Sequence, residues 1–303
     1  MIKNNNIVLS QSITKDLGLF IIDDQLEEIE FCPKQIYHKH IADDYEREPS
    51  KAMLEGLYAE TRLYGSCARG EEIRSLQKKK NGEETITQKR IDIQVERMYG
   101  YMYAHGIEIK EHNVQVPLIA KYADGVWIRG ELDMFPVYVD NEPSIVDFKT
   151  TKDVNNSFFT YKEDLIKNCV NSCWGNKIND FGDEFIGFNY ISKNQPLMYH
   201  FLARNYHKTG LDTLKKYKPE KSDTYTQLFN IDKQDYNFWF YVSGTGKPDL
   251  SNQLRRFEYR LTSHRESLLD MLVMASIKRI RESLKNGWQA NKKDGAAAQS
   301  GEE

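Results

Sequence analysis

Three runs near the middle of the chain, residues 113–122, 125–137 and 144–151, alternate apolar and polar positions with the period of two expected of a half-buried strand. Val139-Asp140-Asn141-Glu142-Pro143 supplies turn chemistry between the second and third. The pattern predicts an antiparallel meander, with Gln115 on its first strand. Elsewhere the period lengthens toward that of a helix: over 51–68, 85–103, a segment opening at Gln195, and 265–285. The stretch 23–81 reads as mostly helical, with 25–30 an acidic turn and 78–84 a charged loop. Residues 226–232, 238–244 and 256–262 read as strands that extend the sheet.

These elements predict an α/β (α+β) fold with a central mixed sheet flanked by helices and a helical N-terminal part. Residues 1–22 form an arm, 23–290 a single domain, and 291–303 a small, polar, disordered tail. Residues 153–194 form an insertion rich in aromatic and amide side chains. Phe158, Tyr161 and Trp174 there either stack on bases or pack a satellite core. Gly244-Thr245-Gly246-Lys247 lacks the spacing of a phosphate loop and precedes Pro248, so it reads as a hairpin turn.

The meander also carries the candidate chemistry. Asp133 ends Gly130-Glu131-Leu132-Asp133, and Asp147-Phe148-Lys149 lies on the next strand. Alternation turns Asp147 and Lys149 to one face, with α-carbons about 6.6 Å apart, and Phe148 to the other. A hairpin can bring Asp133 beside Asp147. Mg²⁺ and Mn²⁺ prefer oxygen ligands and keep waters, so two carboxylates and a backbone carbonyl suffice when a substrate phosphate completes the shell. Such an ion polarises a phosphoryl oxygen and acidifies bound water, and a lysine can orient the nucleophile or offset phosphate charge. The plainer alternative is a turn-forming aspartate and a solvent-facing lysine. Two more segments fit the first reading. Gly56 permits close backbone approach on the helix bearing Glu60, and Gln195 and Tyr199 share a helix face at i, i+4 behind a first-turn Pro196.

In order and spacing these segments resemble the PD-(D/E)XK nuclease superfamily, within it the RecB-like and phage exonuclease-like branch. Gly56 to Glu60 is similar to the first helix motif, Gly130 to Asp133 to the second motif and Asp147-Phe148-Lys149 to the third. Gln195 to Tyr199 resembles the Gln-x-x-x-Tyr helix, and Phe31-Cys32-Pro33 an upstream Cys-Pro turn. The likeness implies a restriction-endonuclease-like core and metal-dependent hydrolysis of DNA phosphodiesters. It implies Mg²⁺ or Mn²⁺ held by Glu60, Asp133, Asp147 and the Phe148 carbonyl, with Lys149 placing the attacking water. Gln195 and Tyr199 would then steady the cleaved strand. Glu131 is the alternative acid of the second motif and is assigned to the opposite face of its strand. An exonuclease of recombination, repair or end processing, phage-like and working with a single-strand annealing or recombination partner, is the leading expectation. An endonuclease with the same site, a nuclease-derived DNA-binding protein with a vestigial site, and a hydrolase of nucleotides or RNA are the alternatives.

Composition adjusts this picture at a few points. At 303 residues with 40% hydrophobic content the chain can bury a sizeable core. No run of about 18 apolar residues occurs, and Met1 to Asn6 leads into no long apolar segment, so a cytoplasmic, non-membrane setting is expected. A net charge of −3 argues against a protein that coats DNA. The basic runs at Lys78-Lys79-Lys80, Lys215-Lys216-Tyr217-Lys218, Arg255-Arg256 and Lys278-Arg279-Ile280-Arg281 read as solvated faces before DNA grooves. Cys32, Cys67, Cys169 and Cys173 lack the late triplet of cluster-bearing relatives and any Cys-x-x-Cys pair, which argues against an iron-sulfur cluster or zinc and for free thiols. His38 reads as a surface or DNA-contacting residue.

Overall fold

The computed structural model of the chain describes residues 2–3, 6–22, 24–42, 51–65, 76, 80–151, 193–232, 234–244 and 254–289. Two short strands, β1 (Ile2–Lys3) and β2 (Asn6–Leu9), lead into α1 (Gln11–Asp16), where the Ser10 hydroxyl accepts the Ile13 amide at 3.4 Å. β3 (Leu19–Ile22) and β4 (Gln25–Glu28) then form a separate antiparallel hairpin. This corrects the acidic turn expected at 25–30. Asp24 makes the reversal at φ +56, a left-handed conformation that aspartate tolerates, and the polar β4 covers the wholly buried Leu19-Phe20-Ile21-Ile22.

α2 (Pro33–Tyr37) starts on a first-turn proline and continues into a π-helical turn at His38–Ala42. α3 (Lys51–Tyr64) and α4 (Ile86–Ala104) follow, the latter capped by the Thr85 hydroxyl, which accepts from the Gln88 amide at 3.1 Å. The alternating runs become β5 (Val114–Ala123), β6 (Val126–Val139) and β7 (Glu142–Thr151), antiparallel in succession as the pattern predicts. Asp140 and Asn141 take φ of +51 and +69 at the β6–β7 turn, which suits the twist of a tight hairpin.

After the insertion come α5 (Asn194–Thr209), α6 (Leu211–Tyr217), α7 (Ser222–Phe229), β8 (Asn237–Gly244), β9 (Leu254–Tyr259) and α8 (Ser263–Lys285). α7 replaces the strand expected at 226–232. The β-formers Thr226, Phe229 and Ile231 favour a strand, but Tyr225 and Leu228 are both buried at a spacing of three, which is the period of a helix face.

Among the described residues the central sheet has seven strands in the order β1-β2-β6-β7-β8-β9, with β5 also on β6; β2–β6 and β7–β8 are parallel and the rest antiparallel. Helices cover both faces. One core gathers Ile13, Leu132, Ile145, Leu202, Phe238 and Leu272 from α1, the sheet, α5 and α8. The other gathers Tyr58, Val95, Met98, Met134, Phe148 and Tyr241 from α3, α4 and the opposite sheet face. The segment expected as an N-terminal arm supplies β1, β2, α1 and β3, with Leu9, Ile13 and Leu17 in the first core. No helix among the described residues is long and apolar enough to cross a membrane.

Pairing along β6 opens a fork. Residues Val126 to Ile128 pair with both β2 and β5, and Met134 pairs with both β5 and β7, so β2 and β7 share the edge opposite β5. β2 ends at Leu9 opposite Ile128 and enters α1, while β7 leaves β6 beyond Val146 to follow β8. Residues 129–133 therefore face a gap in the sheet, and Asp147 to Lys149 form its other side.

Candidate functional site

The fork decides how its backbone groups are satisfied. Phe148 lies past the last β6–β7 pair, so its amide has no ladder partner on that side and is taken by Asp133 Oδ2 at 2.9 Å. A strand residue's carbonyl projects to the same side as its amide, so the Phe148 carbonyl points into the same gap. Asp147 is fully buried on the face of α5: Gln195 Nε2 donates to its Oδ1, and the Lys149 ammonium forms an ion pair with its Oδ2. The structure thus brings Asp133, Asp147, Lys149 and Gln195 together.

Glu60 approaches from α3 on the opposite side. A β-carbon at Gly56 would lie 3.6 Å from Thr150 Oγ1, so the glycine face of the helix rests on the end of β7. One turn later Glu60 acts electrostatically on Asp147 and Lys149, and a further turn on Tyr64 packs edge-on against Phe148 with ring centroids 6.3 Å apart. The Gly56–Glu60–Tyr64 stripe at i, i+4 sets this distance.

On the other face, Gly130 lets α5 approach β6. A β-carbon there would lie 2.7 Å from Tyr199 Cε1 and 3.0 Å from Leu202 Cδ1. The Tyr199 hydroxyl donates to the Glu131 carbonyl at 2.7 Å. Gln195 and Tyr199 are 6% and 5% exposed, so both side chains are held against the protein at the site's back wall. Asp133 is left out of the β5 register between Val116–Leu132 and Val114–Met134, Gln115 takes φ +48 there, and Leu132 and Met134 enter different cores, so plain alternation does not relate Glu131 to Asp133. Asp133 reaches the β7 amide, whereas Glu131 lies 3.9 Å from Lys218 Nζ.

Burial and mutual repulsion dominate the electrostatics. Burial, then the Asp133 charge, lift the Asp147 carboxyl to about 7 against the pull of Lys149. Asp133 is raised by burial, with Lys149 and the Phe148 amide opposing. Burial draws Lys149 down, but the Asp147 and Asp133 carboxylates outweigh it and hold the ammonium protonated. Burial and the same two acids push the Tyr199 hydroxyl well above its usual range.

This donor set fits a small hard cation. Asp147 and the half-buried Asp133 bring two carboxylates together at the fork, and the Phe148 carbonyl projects into the same gap. No three His, Cys, Asp or Glu side chains converge at ligating distance among the described residues. Glu60 therefore stands outside the pair, within charge range of it. Cys32 is a buried free thiol; Cys67, Cys169, Cys173, Phe158, Tyr161, Trp174, Lys78, Lys79, the 245–250 turn and the 291–303 tail lie outside the described residues.

Sequence reasoning missed the cations of α1 and the π turn. Asp16 is buried and takes Lys39 Nζ and His40 Nε2 at 2.6 Å each. Burial draws the pKa of the half-buried Lys15 beside it down, with the Asp16 charge opposing and the Lys149 charge adding to the fall. Asn194 was missed beside Gln195. It is fully buried, accepts the Ile21 amide at 2.9 Å, and donates to Thr14 Oγ1 at 3.0 Å and the Leu19 carbonyl at 2.8 Å. The spacing of Asn194 from α1 and β3 is too long for any local signal. Of the basic runs, Arg279 holds the Ile29 carbonyl at 2.6 Å and Glu28 at 3.0 Å, and Arg256 pairs with Asp140 at 2.6 Å, both within the fold.

Neither a protein-family model nor a curated protein sequence matches the chain. Among solved structures it is similar to a protein from Eubacterium rectale named "Putative exonuclease", with a TM-score of 0.51 at 14% identity over 94% of this chain and 83% of that one. That likeness is one of fold: a central mixed sheet flanked by helices.

Proposed function

We propose that the chain is a divalent-metal-dependent DNA nuclease, an exonuclease before an endonuclease. One observation carries the proposal: the buried Asp147 and the half-buried Asp133 carboxylates meet beside Lys149 at a fork of the sheet. Asp133, Asp147 and the Phe148 carbonyl would hold Mg²⁺ or Mn²⁺, with Glu60 reaching it through water. The ion would supply Lewis-acid polarisation of the phosphate and a more acidic water.

The chain's own groups set the rest. Lys149 stays protonated and places positive charge beside the substrate phosphate and the attacking water. Gln195 fixes the Asp147 carboxylate by its Oδ1, and Tyr199 fixes β6 through the Glu131 carbonyl, so both act as positioning residues behind the site. The fold's likeness to a protein named as an exonuclease, and the PD-(D/E)XK-like motif order, support hydrolysis from a DNA end.

The test is incubation of the purified protein with Mg²⁺ or Mn²⁺ and labelled linear, circular and single-stranded DNA. Loss of linear DNA with circles intact is expected. Asp147→Ala and Lys149→Ala should each lower the rate by at least about a hundredfold, roughly 3 kcal/mol of barrier, with DNA binding kept. Nicked circles would assign an endonuclease, and wild-type rates in both variants would overturn the site.

A further inference from the structure

A second cleft lies beyond the π turn. Lys34, Tyr37, His38, Gly287, Trp288 and Gln289 line a space of about 460 Å³, within the roughly 300–1,000 Å³ of small-ligand pockets. No carboxylate lines it among the described residues. Its walls are aromatic and its rim carries a lysine and a histidine.

The rings are held by the fold. α8 ends at Lys285, Gly287 turns the chain at φ +66, and Trp288 itself takes φ +57 while its amide donates to the Ser283 carbonyl at 2.8 Å. A left-handed conformation is uncommon for so bulky a residue, and it turns the indole toward α2. Tyr37 meets that indole at 6.4 Å between centroids with a 42° tilt and keeps 38% of its surface exposed. His38 braces Tyr37 edge-on at 5.5 Å. Tyr37 is thus a rigid aromatic face open to solvent, beside an exposed lysine.

Tyr37 leads into the π turn, whose Lys39 and His40 close on Asp16 at the end of α1.

We propose that this cleft binds one unpaired nucleotide of a DNA strand, its base stacked on Tyr37 over Trp288 and its phosphate met by Lys34, so that the strand is gripped beyond the acid site. The proposal rests on the nuclease reading for the identity of the ligand. Each alternative ligand class meets a feature it does not need: an acidic peptide would not use the stacked ring, and an apolar ligand would not use the lysine.

The test is equilibrium binding of a fluorescent oligothymidylate to the full chain in EDTA, where no cleavage occurs. Tyr37→Ala should weaken binding by about tenfold, in keeping with about 1–3 kcal/mol per stacked base. Tyr37→Phe should bind as wild type, and an abasic oligomer should bind both proteins alike. Lys34→Ala should weaken intact and abasic strands equally and reduce the salt slope by about one. Equal affinity of Tyr37→Ala and wild type for oligothymidylate, with matching circular dichroism and melting, overturns the proposal. So does an equal loss toward the abasic strand. The two readings fail separately: an inert protein that keeps the Tyr37 effect loses the nuclease reading, and an active one without that effect loses the cleft.

Discussion

Gly130 shows how one missing side chain sets the site. Its hydrogen stands where a β-carbon would come within 2.7 Å of the Tyr199 ring, and that ring cannot swing aside because it is buried and its hydroxyl is bonded to Glu131. Gly130→Ala should therefore push α5 off β6 and cost about 1–3 kcal/mol, as overpacking does. A urea midpoint that falls by that amount, together with slower nuclease turnover as Gln195 shifts from Asp147, is the expected result. An unchanged midpoint would mean that α5 does not bear on β6 here. Residue identities at the site were legible because Asp147 and Lys149 alternate on one strand and Gly56, Glu60, Gln195 and Tyr199 follow helix spacing. Their partners were less so. Nothing in local spacing says that Gln195 spends its amide on Asp147, or that Asp133 caps the Phe148 amide, since both follow from where two strands part.

At the scale of elements, α5 makes a prediction about pH. His200 is 2% exposed, with Nε2 3.4 Å from the Tyr259 carbonyl, and burial draws its pKa to about 4. The unfolded ring takes a proton below about 6.5, while the folded one stays neutral until about 4. Its contribution is thus intact above pH 6.5, declines as pH falls through that window by up to about 3 kcal/mol, and levels off below 4. His200→Gln should flatten the fall in urea stability between pH 7 and 4.5. Asp147, whose raised pKa works in the opposite direction, is common to both proteins and cancels in the comparison. A parallel decline in the two proteins would exclude His200 as the source. Elements with a long period, such as α4, α8 and the β5–β7 meander, were legible from their patterns. The β3–β4 hairpin and α7 were not, because short segments carry too few periods to outweigh misleading local residues. The polar Gln25-Leu26-Glu27-Glu28 looks like a turn, and Thr226-Gln227-Leu228-Phe229 looks like a strand.

Over the whole molecule, the N-terminal segment and the site are joined through one buried amide. Asn194 binds Thr14, Leu19 and Ile21 across 173 to 180 residues, and its neighbour Gln195 binds Asp147. Two adjacent side chains thus tie α1 and β3 to the back of the acid site. Such long-range contacts leave no periodic trace, which is why the first 22 residues read as an arm although they enter the sheet and the core. Asn194→Ala would strip partners from a buried amide, a buried carbonyl and a hydroxyl, and should cost about 3 kcal/mol. The loss should be uneven. Hydrogen exchange should quicken first at Ile21 and its neighbours in β3, while the β7–β8 ladder, paired from Ser144 to Thr151, keeps its protection. DNA cleavage should weaken more than the melting shift accounts for, since the neighbouring Gln195 is no longer held against Asp147. Uniform acceleration across the sheet would show that Asn194 supports the fold as a whole and does not couple these two parts.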